Sequence, residues 1–143
     1  MVSAGVEMRF LKTSTYGLVP SGATGANQFG ITENNDRTPL PVAMAHVRLG
    51  EDKAHRFAVL ASVGVAAHSQ GSGTAGSAAE YLTGLSLGLF RTMFITAGVH
   101  FGKVSALGGG YRVGDPVPAG VTTVPVTGSY KAGFGLAITF TKP

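Results

Sequence analysis

The feature that most constrains this chain is a two-residue alternation of bulky apolar side chains with small or weakly polar ones, repeated over several segments. Over residues 92–102, Met93, Ile95, Ala97, Val99 and Phe101 alternate with Thr92, Phe94, Thr96, Gly98, His100 and Gly102. Over 130–142, Tyr130, Ala132, Phe134, Leu136, Ile138 and Phe140 alternate with Lys131, Gly133, Gly135, Ala137, Thr139 and Thr141. A strand sends successive side chains to opposite faces, so this spacing predicts strands with one greasy face and one small face. Residues 4–12 follow the rule, with Ala4, Val6, Met8 and Phe10 opposite Gly5, Glu7 and Arg9. Residues 55–68 do so with Phe57, Val59, Ala61, Val63, Val65 and Ala67 on one side. The alternation is weaker over 42–49, where Ala43, Ala45, Val47 and Leu49 oppose Val42, Met44, His46 and Arg48. Over 80–90 a helix competes, but Gly84 and Gly88 argue for a strand, because each costs a helix interior about 1 kcal/mol relative to Ala.

Six strands are expected, and the links between them alternate in length. Residues 13–41 and 105–129 form long links, 69–79 a medium one, 50–54 a short one, and Phe90-Arg91 a near-direct turn. In an antiparallel meander every second link emerges at the same end. One end therefore carries the long loops and the other the tight turns, as in transmembrane barrels. The 13–41 link is rich in turn residues, with Ile31-Thr32 its only β-branched pair, and reads as a loop rather than as further strands.

The sizes of the two faces decide what surrounds the sheet. A soluble sandwich buries its bulky face and covers the other with Lys, Glu and Asp. Here Asp, Glu, Lys and Arg together make up 13% of the chain, and none occurs between Arg56 and Glu80. A water-facing strand surface so poor in charge would be adhesive. The bulky face therefore reads as pointing outward to lipid, with glycine and small polar groups inside. The fold expected is all-β, an antiparallel meander forming a transmembrane β-barrel or a six-stranded part of one, over residues 1–143. Six is fewer than the eight strands with which single-chain barrels begin. Closure by further copies of the chain (an oligomer), or by strands of a longer parent, is the corresponding expectation, since an open sheet edge has no place in lipid.

Residues 81–90, 93–101 and the closing 130–140, with Phe134, Leu136, Ile138 and Phe140 in alternation, resemble a bacterial outer-membrane β-barrel domain. The run from Leu107-Gly108-Gly109-Gly110-Tyr111 to Asp115-Pro116-Val117-Pro118 also looks like a loop of poorly characterised barrel-tailed bacterial proteins. The resemblance implies a membrane location in the bacterial outer membrane, transmembrane β-strands, and a porin-like anchor or narrow pore whose partner is lipid or detergent. The alternative carried beside it is a soluble, self-associating all-β structural subunit of a virion, fibre or surface layer. A ligand-binding or enzymatic barrel built around His100 is a third.

Chemical motifs are sparse, and no catalytic, cofactor-binding or metal residues are expected. The absence of Cys excludes disulfide scaffolds and thiolate metal sites. His46, His55, His68 and His100 show neither HxH nor HExxH spacing, so lining or structural roles are expected, and His100 falls on the inward face. Ser69, Ser72, Ser77, Ser86 and Ser129 lie in no GxSxG elbow, although Ser86 and His100 could face inward on adjacent strands. The acids Glu7, Glu33, Asp36, Glu51, Asp52, Glu80 and Asp115 form no paired-carboxylate pattern, and the glycine run 71–76 lacks the Lys-Ser or Lys-Thr of a phosphate loop. Net charge is +4, but the 11 Lys and Arg are scattered singly, so no nucleic-acid partner is expected. Arg9, Arg48 and Arg56 could line an anion-favouring passage. Tyr81, Phe90, Phe101, Tyr130 and Phe140 sit near segment ends, where interfacial aromatic belts are found. No run approaches the length of a spanning helix, and the first residues carry no secretory signal pattern.

Overall fold

The structure is a computed structural model that describes residues 1–22, 25–35, 37–54, 56–68, 78–90 and 92–141. Eight strands are present among them: β1 (Val2–Phe10), β2 (Thr13–Pro20), β3 (Asn27–Asn35), β4 (Thr38–Glu51), β5 (Phe57–His68), β6 (Ala78–Leu89), β7 (Met93–Leu107) and β8 (Val126–Phe140). The chain divides into two compact units, one of Met1–Leu11, Arg37–Gly102 and Lys131–Pro143, the other of Lys12–Asp36 and Lys103–Tyr130.

In the first unit six antiparallel strands close into a hydrogen-bonded ring in the order β1-β4-β5-β6-β7-β8. The first and last strands pair with each other, Ala4 opposite Phe140 through Phe10 opposite Phe134, so the ring closes within one chain. The alternation read from the sequence sets which face is which. Phe57, Val63, Leu85, Val99, Leu136 and Ile138 point out of the ring and are exposed, whereas Leu60, Ser62, Leu82, Thr96, His100, Ala137 and Thr139 point in and are buried. The short connections, β4 to β5 and β6 to β7, lie at one end, and the links that follow β1, β5 and β7 leave from the other, as the link lengths predict. At the β6–β7 turn Phe90 takes φ 51°, its N–H donating to the Arg56 carbonyl at 3.0 Å. Arg91 and the glycine run 71–76 lie outside the described residues.

Two local devices let so few strands close. Gly84 and Gly98 face each other in register on the inner side of β6 and β7, and a Cβ on either would strike the opposing backbone. The absence of a Cβ lets the two backbones approach closely at this point of the ring. Pro39 and Pro41 sit where β4 is laddered to β1 but outruns its β5 register, which starts at Val42, so their missing N–H groups cost the sheet nothing on that side.

In the second unit β2 and β3 form a hairpin, Thr13 opposite Asn35 and Pro20 opposite Asn27. This corrects the reading of 13–41 as a loop. The ladder is held by polar pairs, with Ser14 Oγ donating to Asn34 Oδ1 at 2.8 Å and Thr32 Oγ1 to the Thr15 carbonyl at 3.2 Å, rather than by an apolar stripe. Residues of the second long link also take up defined structure here. Gln28 bridges Pro116, the Phe29 N–H donates to the Asp115 carbonyl, and the Val117 N–H donates to the Asn27 carbonyl. Phe29 is fully buried, its ring 4.7 Å from that of Tyr111.

Candidate functional site

The inner face of the ring is where the chain's chemistry collects, and it does so in two tiers. Nearer the short-turn end runs a belt of one polar side chain from each of the six strands. Ser3 of β1 donates to Thr139 Oγ1 of β8 at 2.7 Å. Ser3 Oγ lies 2.6 Å from Nε2 of His46 on β4, and His46 Nδ1 lies 2.6 Å from Ser62 Oγ on β5. Ser62 Oγ is 2.5 Å from Ser86 Oγ on β6, which is 2.5 Å from Thr96 Oγ1 on β7. Three of these bonds join diagonal rather than directly opposite residues: Ser3 is opposite Met44, Thr139 opposite Gly5, and Ser62 opposite Gly84. Strands tilted in a closed sheet bring such diagonal neighbours to one level. A neutral His46 with its proton on Nε2 satisfies the whole belt in one direction, from Thr96 through Ser86, Ser62, His46 and Ser3 to Thr139. The His46 ring stacks on Phe94 at 4.4 Å.

The inner face also carries a small buried apolar cluster, Leu40, Val42, Met44, Ala66, Leu82 and Ala137. Toward the long-link end is an ionic quartet. Arg9 Nη1 of β1 donates to both carboxylate oxygens of Glu80 on β6, at 2.6 and 2.8 Å. His100 of β7 stands between two carboxylates, Nε2 at 2.9 Å from Glu80 Oε2 and Nδ1 at 2.6 Å from Glu7 Oε1 of β1. Glu7, Glu80 and His100 have no exposed surface and Arg9 has 1%. Strands β1 and β6 are opposite in ring order, so the Arg9–Glu80 bond crosses the interior. Arg9 Nη2 also reaches Thr38 Oγ1 of β4 at 3.4 Å. Glycines make the room: a Cβ on Gly135 would lie 2.5 Å from Glu7 Oε1, and one on Gly102 would lie 2.7 Å from His100 Nε2.

A neutral imidazole has one N–H, so both His100 contacts become hydrogen bonds only when a second proton is held, on the ring or on a carboxylate. With the imidazole doubly protonated, two cations balance two anions. Two atoms stay without a hydrogen-bond partner among the described residues, Glu7 Oε2 and Arg9 Nε. No group of three or more His, Asp and Glu among those residues is placed to hold a metal ion. In the quartet the guanidinium already occupies the place of a cation beside the carboxylates.

The sequence placed His100, Ser86 and Thr96 on the inward face, and the structure places them there. It does not pair Ser86 with His100, since Ser86 bonds Ser62 and Thr96 and His100 turns to the acids. Arg9 has a partner acid in Glu80, and Arg48 pairs with Glu51 at 2.5 Å at the exposed short-turn end, so neither is an unpaired cation of a passage. The side chains of His55 and His68, together with Ser69, Ser72 and Ser77, lie outside the described residues. The association of Glu7 with Glu80 was missed. Its available signal was positional, since Glu7, Arg9, Glu80 and His100 all fall on the small-residue parity of their strands.

The outer face is the reverse of this interior. On Val2–Phe10 and on residues 39–49, 57–67, 79–89, 93–101 and 132–140, no outward position carries a charge, and Tyr81 and Thr83 are the only ones with a hydroxyl. Aromatics cluster at the two ends of this band. Phe10 lies 5.7 Å from Phe134, and Tyr81 pairs with Phe101, at the long-link end. Phe57, Phe90 and Phe140 stand exposed toward the short-turn end. Comparison with protein-family models, with curated proteins and with solved structures found no match.

Proposed function

We propose that the six-stranded ring is a membrane-embedded β-barrel that serves as a structural anchor, with lipid as the partner of its outer face and the bacterial outer membrane as its setting. The observation that carries this reading is the uncharged outward band. Its stretches are nine to eleven residues long on every strand of the ring, the length a tilted strand needs to cross a bilayer. The aromatic clusters at its two ends fit interfacial girdles. In water, the same band would be a continuous apolar surface around the molecule, far beyond the patches that soluble monomers tolerate.

An anchor is favoured over a pore because of what fills the middle. An eight-stranded barrel has an interior just wide enough for side chains to fill. This ring has fewer strands, and its interior is crossed by Arg9–Glu80 and spanned by the hydroxyl belt. The role that remains is to hold the second unit, and whatever else the chain carries, at a membrane. The test is reconstitution of the full chain with phospholipid vesicles, followed by flotation and alkaline carbonate extraction. The reading expects the chain to float with the vesicles and resist extraction, and to release no small entrapped dye. A chain that remains in the aqueous fraction as a defined oligomer would replace this reading with that of a self-associating structural subunit.

A further inference from the structure

We propose that the Glu7–Arg9–Glu80–His100 quartet is a latch that holds the β1–β8 seam of the ring shut and that acid releases. The inference rests on the ring itself and goes beyond the membrane reading. Neighbouring strands β4–β5 and β6–β7 are joined by short links, so their ladders close at little entropic cost. The seam joins the first strand to the last and closes the longest loop in the chain, which makes it the least favoured ladder to form.

Strand β8 lies between β7 and β1, and β7 lies between β6 and β8. Moving β1 away from β8 therefore withdraws Glu7 from His100 and Arg9 from Glu80, while leaving the β1–β4 ladder intact. Ser3 and Thr139 add a single neutral hydrogen bond across the same seam. The quartet is its only ionic fastening among the described residues.

The closed state balances two carboxylates against a guanidinium and an imidazolium. Protonating Glu7 and Glu80 leaves two positive charges in a dry interior with no anion between them, a strongly unfavourable arrangement. Among the described residues, the groups that face the quartet from the surrounding strands include Thr38 of β4, Ala66 of β5, Leu82 of β6, Gly102 of β7 and Gly135 of β8, and none of these five titrates. None of these five replaces the lost charge. Among the described residues Glu7 Oε2 and Arg9 Nε find no hydrogen-bond partner, which leaves the latch incompletely satisfied by them even when closed.

The chain contains no cysteine, so paired labels report without background. Val6→Cys with Ile138→Cys places two outward nitroxide labels in register across the seam. Val63→Cys with Thr83→Cys does the same on the β5–β6 ladder, away from the quartet. Electron–electron distances are measured on the full chain in detergent micelles at about pH 7, at about pH 3, where ordinary carboxylates are protonated, and after return to about pH 7. The latch predicts loss of the short seam distance in acid, its recovery on neutralisation, and an unchanged control distance. A seam distance that survives acid, or a control distance lost together with it, overturns the proposal. The fourfold variant Glu7→Leu, Arg9→Met, Glu80→Leu and His100→Leu sharpens the result. If it folds, its seam must stay closed at both pH values, and opening in acid would again overturn the latch. If it does not fold, the wild-type distances decide alone.

Discussion

The ring holds two buried histidines on neighbouring tiers, and they do opposite things. His46 sits in a belt where every partner is a hydroxyl, so a neutral ring satisfies all of its neighbours and each strand contributes one interchangeable link. His100 sits between two carboxylates, and its contacts close only with a further proton and with Arg9 balancing the charge. The first tier is redundant and the second is not. A narrow closed sheet can satisfy its interior either by many small neutral bonds or by a few charged ones. This chain uses the first where all six strands meet, and the second where opposite walls must be tied.

That contrast predicts a graded set of responses. The largest is expected from Arg9→Ala, which takes the guanidinium away from the buried Glu80 carboxylate and should cost about 3–5 kcal/mol. Denaturant unfolding in micelles measures it, and a loss below about 1 kcal/mol would remove the distinction between the tiers. Next, Val63→Arg places a guanidinium at the middle of the outward face without a carboxylate partner. In vesicles it should cost about 2–4 kcal/mol, read as a lowered unfolding midpoint. Were the outer face in water, the same change would be close to neutral. Gly135→Ala tests the fit of the quartet without changing its charge. The added methyl meets Glu7 and Leu82, and overpacking of this kind costs about 1–3 kcal/mol. Ser62→Ala interrupts the belt at one link and should cost about 1–2 kcal/mol. A larger loss there would mean that the belt acts as a single unit rather than as separable bonds. Least of all, Arg48→Ala removes an exposed ion pair with Glu51 and should change stability by no more than about 0.5 kcal/mol.

What the sequence revealed follows from what is local. Period two exposed the strands of the ring and their two faces, because Ile95 to Phe101 and Phe134 to Phe140 alternate without interruption. Link lengths revealed which end carries the long connections. The β2–β3 hairpin was hidden because Thr13, Ser14, Thr15, Asn34 and Asn35 hold it by polar cross-strand bonds and turn-type residues, which read as loop. The quartet was hidden for a different reason. Arg9 and Glu80 are 71 residues apart, and nothing in their spacing announces contact. Only ring closure, by pairing β1 with β8, brings them opposite each other. Glycines 102 and 135 looked like small lumen residues, and their role as room for His100 and Glu7 depends on that same closure.

The account stands on the outward face meeting lipid, and tryptophan fluorescence tests it most directly because the chain has no native Trp. Val63→Trp places one indole at the middle of the band. Vesicles made with lipids brominated near the chain centre are predicted to quench it strongly, while aqueous acrylamide quenches it little. Strong acrylamide quenching with no effect of brominated lipid would contradict a membrane-embedded ring.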